Sequence, residues 1–242
     1  MTEENVLLSN DQNDIRILTL NRPDKLNAMN EAMVRGLIAA VEKAHEDDGV
    51  AAIILTGNGR AFSAGADIKE AETRKGFSSE QARHHSEASL PVYQLGRQTD
   101  KPVIAAVKGF VLGGGCNLAI ATDMVIAGEN ALFGYPEVKR GMGATMVTPG
   151  LVHRIGPKAA YELLMLGENI SADKALALGL INRVVPDDKV LDEALGIATK
   201  LAAYNQRAIR ATKRCFIKST ELSLDASLDS AMESMLQLRT SK

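Results

Sequence analysis

Residues 50–68 read VAAIILTGNGRAFSAGADI, an apolar run followed by a turn and a cluster of small residues. The run Val50–Thr56 is rich in β-branched side chains and almost wholly apolar, which predicts a strand buried on both faces, as in a parallel sheet. Gly57-Asn58-Gly59 predicts the turn that ends this strand. Ligands of α/β proteins collect beyond such strand ends, and small residues there let a ligand approach the backbone. The stretch therefore predicts an α/β fold with a candidate site after the strand.

The same alternation of strands and helices continues on both sides of this stretch. Asn30 predicts the N-cap of a helix whose apolar residues recur at helical spacing. Further strands are predicted at Val6–Ser9 and Ile15–Leu20, around a turn at 10–13, and at Pro102–Val107, Met124–Ala127 and Ala131–Gly134. This alternation is typical of α/β proteins.

The last third of the chain has a different pattern. Strand signals nearly cease after Pro149, and from Lys189 onward almost every residue fits a helical period. We therefore expect an α/β body at 1–185 and a helical region at 186–242. Because no Pro- or Ser-rich linker divides them, the helices should pack on the body or on a neighbouring subunit.

The composition excludes several classes of function. The 242 residues include 28 Lys and Arg against 30 Asp and Glu, so no excess of positive charge suits nucleic acid or an anionic membrane. The polar segment Met1–Asn13 does not resemble a secretory signal, and no apolar run is long enough to cross a bilayer. The two cysteines and four histidines lack metal-ligand spacing. We expect a soluble, cytoplasmic chain with reduced cysteines and no metal.

A second glycine-rich segment, Leu112–Leu118, reads LGGGCNL and lies between a predicted strand and an apolar helix. Free backbone N–H groups at such a junction can stabilise an oxyanion. A P-loop would need Gly-Lys-Ser/Thr where Cys116-Asn117 stand, and a dinucleotide fingerprint would need glycine at Leu118. A tight turn with close packing is the alternative interpretation, and the residues alone leave both open.

A third patch, Phe133–Glu137, reads FGYPE and ends on an acidic residue. A carboxylate directly after a short apolar strand is costly unless it is paired or used in chemistry. Glu137 is therefore a candidate acid or base, although it would also suit an exposed helix start, where the helix dipole stabilises an acid. The fourth patch, Arg22–Met29, predicts a turn.

These four patches occur in an order that resembles the crotonase superfamily, the enoyl-CoA hydratase/isomerase family, over nearly the whole chain. Members have segments similar to residues 21–28, 62–70, 109–116 and 171–185 of this sequence. The resemblance implies an α/β fold built as a spiral of ββα repeats with a helical C-terminal region. It also implies an acyl-CoA thioester substrate whose enolate is stabilised by two backbone N–H groups. Because members often extend further, we expect that the chain could continue beyond Lys242.

The resemblance assigns roles to individual residues. The N–H groups of Ala64 and Gly114 would bind the thioester oxygen, and Glu137 would be the main acid and base. Seven residues would lie along the coenzyme A: Lys25, Leu26, Ala28, Ala64, Ala66, Asp67 and Ile68. No cofactor is implied beyond the coenzyme A of the substrate. The family also implies a homo-oligomer, a trimer or a dimer of trimers, with the C-terminal helices at subunit contacts.

The sequence departs from the family pattern at Asn117. Typical hydratases place two glutamates about the substrate double bond, and the first of them aligns with Asn117. An amide neither accepts nor gives a proton at neutral pH. The second aligns with Glu137, and one carboxylate suffices for an isomerase, which removes a proton at one carbon and returns it at another. We therefore expect double-bond isomerisation, or hydration or lyase chemistry that uses Glu137 alone.

Two other functions stay open at this point. The missing acid at Asn117 also suits a catalytically weak acyl-CoA-binding or scaffold protein. A serine peptidase of the same general fold would need a Ser-His-Asp set, and Ser63 has no evident histidine partner. Met142 and Met146 suit an acyl pocket and core packing equally, whereas Tyr135 favours ordinary packing in the pocket wall over contact with the reacting group.

Overall fold

The computed structural model describes residues 5–240, so the start of the segment Met1–Asn13, which we did not expect to be a secretory signal, lies outside the described residues. Ten strands occur in this part of the chain: β1 (Leu7–Gln12), β2 (Ile15–Leu20), β3 (Ala52–Gly57), β4 (Ala61–Ser63), β5 (Val103–Val107), β6 (Phe110–Leu112), β7 (Met124–Gly128), β8 (Leu132–Gly134), β9 (Ile170–Ser171) and β10 (Arg183–Val185). They form a six-stranded sheet in the order β1-β2-β3-β5-β7-β10 and a four-stranded sheet in the order β4-β6-β8-β9.

Nine helices are described between residues 5 and 240: α1 (Glu31–Glu46), α2 (Ile68–Thr73), α3 (Ser79–Ser89), α4 (Gly114–Ile120), α5 (Thr148–Leu166), α6 (Ala172–Ala177), α7 (Val190–Ala202), α8 (Gln206–Ser219) and α9 (Leu224–Thr240). Short 3-10 segments at Leu90–Arg97 and Pro136–Arg140 also carry residues of interest. The side chain of Asn30 accepts a hydrogen bond from the N–H of Met33, so the predicted cap of α1 is present.

A repeated unit relates the two sheets. Each of the pairs β3 and β4, β5 and β6, and β7 and β8 gives one strand to the large sheet and the next strand to the small sheet. A helix follows each pair, and neighbouring repeats pair in parallel in both sheets. The chain therefore winds as a spiral of ββα repeats, which confirms the expected fold class.

One predicted turn is wrong. Residues 10–13 were expected to form the turn before β2, but β1 continues through Gln12, which lies opposite Ile15 in an antiparallel pair. The reversal uses Asn13 and Asp14 instead, with Asn13 at φ 54°, a left-handed conformation that asparagine tolerates. The polar residues misled the prediction because β1 lies at the edge of the sheet, where its side chains are exposed.

The inner strands of the large sheet are buried on both faces. In β3, the side chains of Ile53 and Leu55 belong to the main core, whereas Ile54 points into a second core on the opposite face. Helix α7 covers that second face with Val190 and Ala194. The region 186–242 therefore contributes to the core of the body through its first helix.

Helix α8 attaches to the body through a buried charge, whereas α9 leaves apolar side chains exposed. The amine of Lys213 in α8 donates to the carbonyl oxygen of Lys101 and to the carboxylate of Asp123, each at 2.6 Å. In α9, by contrast, Leu224 is 74% exposed and Leu228 is 60% exposed.

No helix in the described part of the chain is long and apolar enough to cross a membrane.

Candidate active site

The predicted patches meet at one edge of the small sheet. Strands β4, β6 and β8 run parallel, so the segments that follow them leave from the same edge. These segments begin at Ala64, Gly113 and Tyr135, and they include the three patches that carry the candidate oxyanion donors and the candidate acid. The loop at residues 26–29 joins them, since Met29 and Ala66 form a parallel bridge.

The N–H group of Ala64 does not point into this site. It donates a hydrogen bond of 2.9 Å to the carbonyl oxygen of Leu26, so our prediction that it binds the substrate oxygen is wrong. The N–H of Ala66, two residues later, has no acceptor among the described residues. Ala66, and not Ala64, is therefore the candidate donor to the substrate oxygen.

The N–H of Gly114 lies beside that of Ala66. Gly114 is the first residue of α4, where an N–H has no partner within the helix. A methyl group on Gly114 would lie 3.7 Å from the Ala66 nitrogen, and one on Gly65 would lie 3.3 Å from the Gly114 nitrogen. The two segments are thus in direct backbone contact. We call the two N–H groups of Ala66 and Gly114 the oxyanion pocket.

Glu137 lies in the 3-10 segment after β8, against Gly113. A methyl group on Gly113 would lie 2.6 Å from Oε1 of Glu137, and Gly113 has φ 52°, which favours glycine. Oε2 is buried and has no hydrogen-bond partner in the structure described. Burial raises the pKa of the Glu137 carboxyl above its ordinary value, although a backbone hydrogen bond and Arg140 oppose the shift. Such a group is available to take and return a proton.

Asn117 lies one helical turn beyond Gly113 and is 1% exposed. Its Oδ1 atom is buried without a hydrogen-bond partner among residues 5–240. A methyl group on Gly150 would lie 2.7 Å from that atom, so the amide packs against the start of α5. The described contacts therefore leave the amide oxygen of Asn117 unused.

Two tyrosines, Tyr135 and Tyr93, have pKa values that the negative charge of Glu137 helps to raise. Tyr135 is completely buried, and its pKa is raised well above the usual range, first by burial and then by Cys116 and Glu137. It is a member of the main core, as the packing interpretation expected. Burial also raises the pKa of the Cys116 thiol to about 12, which leaves it neutral and unreactive.

Tyr93 is a further candidate residue of the site that no sequence motif indicated. Its pKa is raised first by burial and then by the negative charge of Glu137, so its phenol lies within electrostatic reach of this carboxylate. It lies in the 3-10 segment Leu90–Arg97, which carries no recognisable motif, and only the packing of that segment beside α4 brings it to the site.

The candidate coenzyme A residues lie on two adjacent loops. Met29 N–H donates to Gly65 O at 2.8 Å, and Asp67 N–H donates to Met29 O at 3.0 Å. The carboxylate of Asp67 forms an ion pair with Arg22 at 2.9 Å and caps α2, so this side chain is already engaged within the protein. Lys25 is exposed, and Ile68 is 38% exposed. Contact with coenzyme A stays a prediction for all seven residues.

The structure also bears on the alternatives. The hydroxyl of Ser63 is buried and donates to the carbonyl oxygen of Asn27 at 2.9 Å, so it is not available as a nucleophile. Met142 and Met146 are 38% and 40% exposed, so neither is core filler in this chain. Within residues 5–240, no group of three or more His, Cys, Asp or Glu side chains could hold a metal ion.

Comparison with known proteins identifies the family. The family model described as enoyl-CoA hydratase/isomerase matches residues 10–242. The chain is 38% identical over 224 residues to 2,3-dehydroadipyl-CoA hydratase of Escherichia coli K12, covering 92% of this chain and 86% of the relative. It is 36% identical over 233 residues to crotonyl-CoA hydratase of Syntrophomonas wolfei, covering 94% and 87%. The crystal structure of an enoyl-CoA hydratase from Mycobacterium smegmatis superposes with a TM-score of 0.92 at 33% identity, covering 98% and 92%. The chain therefore belongs to the enoyl-CoA hydratase/isomerase family of the crotonase superfamily and is an acyl-CoA thioester enzyme of that type.

Proposed function

We propose that this enzyme moves the double bond of an enoyl-CoA thioester, with Glu137 as its single acid and base. The observation that carries the proposal is one buried carboxyl and one buried amide on segments that both contact Gly113. Oε1 of Glu137 faces Gly113 while its Oε2 is buried without a hydrogen-bond partner in the described chain, and Asn117 follows Gly113 by one turn of α4. The site thus has one group that exchanges protons where two-carboxylate hydration needs two.

The oxyanion pocket would bind the thioester oxygen. The N–H groups of Ala66 and Gly114 replace the pair Ala64 and Gly114 that we expected from the sequence. Their hydrogen bonds strengthen as the carbonyl gains negative charge, so they favour the enolate over the bound thioester. In a well-studied protease, loss of one such donor costs about 2.7–4 kcal/mol of transition-state stabilisation.

Glu137 would then transfer the proton within the substrate. From a β,γ-unsaturated thioester, the carboxylate removes a proton from the α carbon and forms a dienolate, while its own carboxyl becomes neutral. The γ carbon takes the proton back, the double bond ends between the α and β carbons, and the carboxylate is restored. The raised pKa of Glu137 suits both halves of this cycle, because the carboxyl holds the proton until the γ carbon accepts it.

Hydration or lyase chemistry by Glu137 alone is the second candidate. The names of the relatives favour it, since they include a 2,3-dehydroadipyl-CoA hydratase and a crotonyl-CoA hydratase. In that reaction one carboxyl would take a proton from water and deliver one to the α carbon. Asn117 could help only by orienting the water through a hydrogen bond.

The same proposal covers the binding and assembly of the enzyme. Coenzyme A would lie along the loops 25–28 and 64–68, and no further cofactor would be needed. The exposed apolar side chains of α9, among them Leu224 and Leu228, support burial at contacts between copies of the chain in a trimer or a dimer of trimers. We place the enzyme in the cytoplasm.

A comparison of two substrates tests the proposed reaction. A β,γ-unsaturated acyl-CoA should be isomerised faster than crotonyl-CoA is hydrated, and Glu137→Gln should lower the isomerisation rate by about 100-fold or more. Glu42→Gln is the control, because this exposed glutamate of α1 is remote in sequence from the site. Faster hydration than isomerisation would favour the second candidate. Binding of both thioesters without turnover would instead indicate an acyl-CoA-binding or scaffold protein.

A further inference from the structure

We propose that Asn27 and Ser63 are positioning residues, which set the direction of the Ala66 N–H in the oxyanion pocket without touching the substrate. Both side chains are completely buried. The inference rests on the proposed function, because it concerns how the pocket for the thioester oxygen is built.

The peptide unit between Gly65 and Ala66 contains the Ala66 N–H donor, and a residue of another loop fixes the carbonyl of the same unit. Gly65 O accepts a hydrogen bond of 2.8 Å from the N–H of Met29. A trans peptide is planar, with its C=O and N–H pointing in opposite directions. Holding the Gly65 carbonyl towards Met29 therefore turns the Ala66 N–H away from the loop 26–29. The position of the donor thus depends on how firmly this loop is held.

Asn27 fixes that loop. Its Oδ1 accepts from the N–H of Arg22 at 2.8 Å, and its Nδ2 donates to the carbonyl oxygens of Asn58 at 2.9 Å and Ala61 at 2.8 Å. The amide thus ties the loop to the end of β3 and the start of β4. Leu26 and Asn27 have φ 50° and 52°, so two successive residues without glycine's freedom adopt a left-handed backbone. Such residues are strained, and the surrounding hydrogen bonds sustain them.

Ser63 connects the loop directly to the donor segment. Its hydroxyl donates to the Asn27 carbonyl at 2.9 Å and accepts from the N–H of Gly65 at 3.2 Å. One hydroxyl therefore links the positioning loop to the residue that precedes Ala66. A methyl group on Gly115 would lie 2.6 Å from Cβ of Ser63, so the same side chain also contacts the first turn of α4, which carries the Gly114 donor. Ser63 is thus in contact with both halves of the pocket.

The test measures polarisation of the bound carbonyl, because a purely structural role would not change it. The probe is butanoyl-CoA with ¹³C at the thioester carbon, a saturated ligand that cannot be hydrated or isomerised. Its C=O stretch is recorded by isotope-edited infrared spectroscopy at saturating ligand, for the wild type, Ser63→Ala and Asn27→Ala. Thr56→Val and Asn182→Ala are matched controls, because each removes a side-chain hydrogen bond to backbone elsewhere, at 2.9 and 2.8 Å.

We expect the wild type to lower the stretching frequency, and Ser63→Ala and Asn27→Ala to lose about half of that shift, since one of two donors is misdirected. The controls should keep it in full. Ser63→Ala should also reduce kcat by about 10-fold while the Kd of butanoyl-CoA stays within about twofold, because misplacement by a fraction of an ångström acts on the transition state. Asn27→Ala lies in the candidate coenzyme A loop, so only its carbonyl shift is compared.

Any of three results would overturn the inference. The first is a full carbonyl shift in folded Ser63→Ala, which is the milder variant and keeps the test decisive if Asn27→Ala fails to fold. The second is an equal loss of shift in Thr56→Val. A wild type with no shift would show that the oxyanion pocket itself is wrong, and the inference would fall with it. A wild type with the shift but without isomerase activity would refute the proposed reaction while leaving the positioning role intact.

Discussion

Replacing Gly113 by alanine tests whether the contact between this glycine and Glu137 sets the position of the acid. The added methyl group would lie 2.6 Å from Oε1 of Glu137. An ordinary contact between carbon and oxygen is about 3.4 Å, so the carboxyl has to retreat by about 0.8 Å. A misplacement near 1 Å costs about 100-fold in rate. We therefore expect kcat for the β,γ-unsaturated acyl-CoA to fall by about 100-fold.

The same substitution also strains the backbone, and a control separates the two effects. Gly113 has φ 52° and ψ −125°, a conformation that favours glycine, and alanine there costs of order 1–3 kcal/mol. Gly179 has φ 73°, and a methyl group there would meet nothing within 4 Å. Gly179→Ala should therefore lose melting temperature through backbone strain alone, about 2–4 °C per kcal/mol, and should keep full activity. Steady-state kinetics and thermal melts on both variants check this, and equal activity of the two would refute the contact argument.

Three further predictions concern charge. Glu137→Gln should raise the melting temperature at pH 7 but not at pH 4. The pKa of this carboxyl is higher in the folded than in the unfolded chain, so the wild type loses stability as the pH rises and the buried group becomes charged. A melting temperature of the variant below that of the wild type at pH 7 would contradict the burial of this carboxyl. Asn117→Glu should increase crotonyl-CoA hydration by supplying the second carboxylate, and an unchanged hydration rate would show that the rest of the pocket does not suit hydration. Lys213→Met should lower the free energy of unfolding by about 3–5 kcal/mol, since it leaves the buried Asp123 without its partner. The control Lys218→Met, at an exposed lysine of the same helix, should not lower it. Similar denaturation curves for the two variants would refute the role of Lys213 in anchoring α8.

Much of the fold could be predicted because burial leaves a direct pattern in the sequence. The continuous apolar run around Ile53 and Ile54 predicted a strand buried on both faces, and the two cores on either side of it confirm this. Exposed edges leave a weaker pattern, so the polar end of β1 was taken for a turn. The helices after Lys189 were predicted as helices, but only the structure shows that α7 completes the second core.

The sequence identified the segments that form the site, but it did not identify every atom that faces the substrate. The glycine-rich patches marked both halves of the oxyanion pocket, yet the sequence could not distinguish Ala64 from Ala66. That choice depends on which N–H faces the carbonyl of Leu26, and the loop that presents this carbonyl is distant in sequence. Tyr93 was missed for the same physical reason, because its proximity to Glu137 comes from packing between segments and not from a local motif.

The fate of a labelled proton tests the single-carboxylate mechanism most directly. A β,γ-unsaturated acyl-CoA with deuterium at the α carbon is converted in ordinary water, and the first product is analysed by mass spectrometry and NMR. We expect deuterium at the γ carbon, carried there by Glu137, whose buried Oε2 has no hydrogen-bond partner in the described chain. A product with only solvent hydrogen at the γ carbon would contradict proton transfer by one sheltered carboxyl.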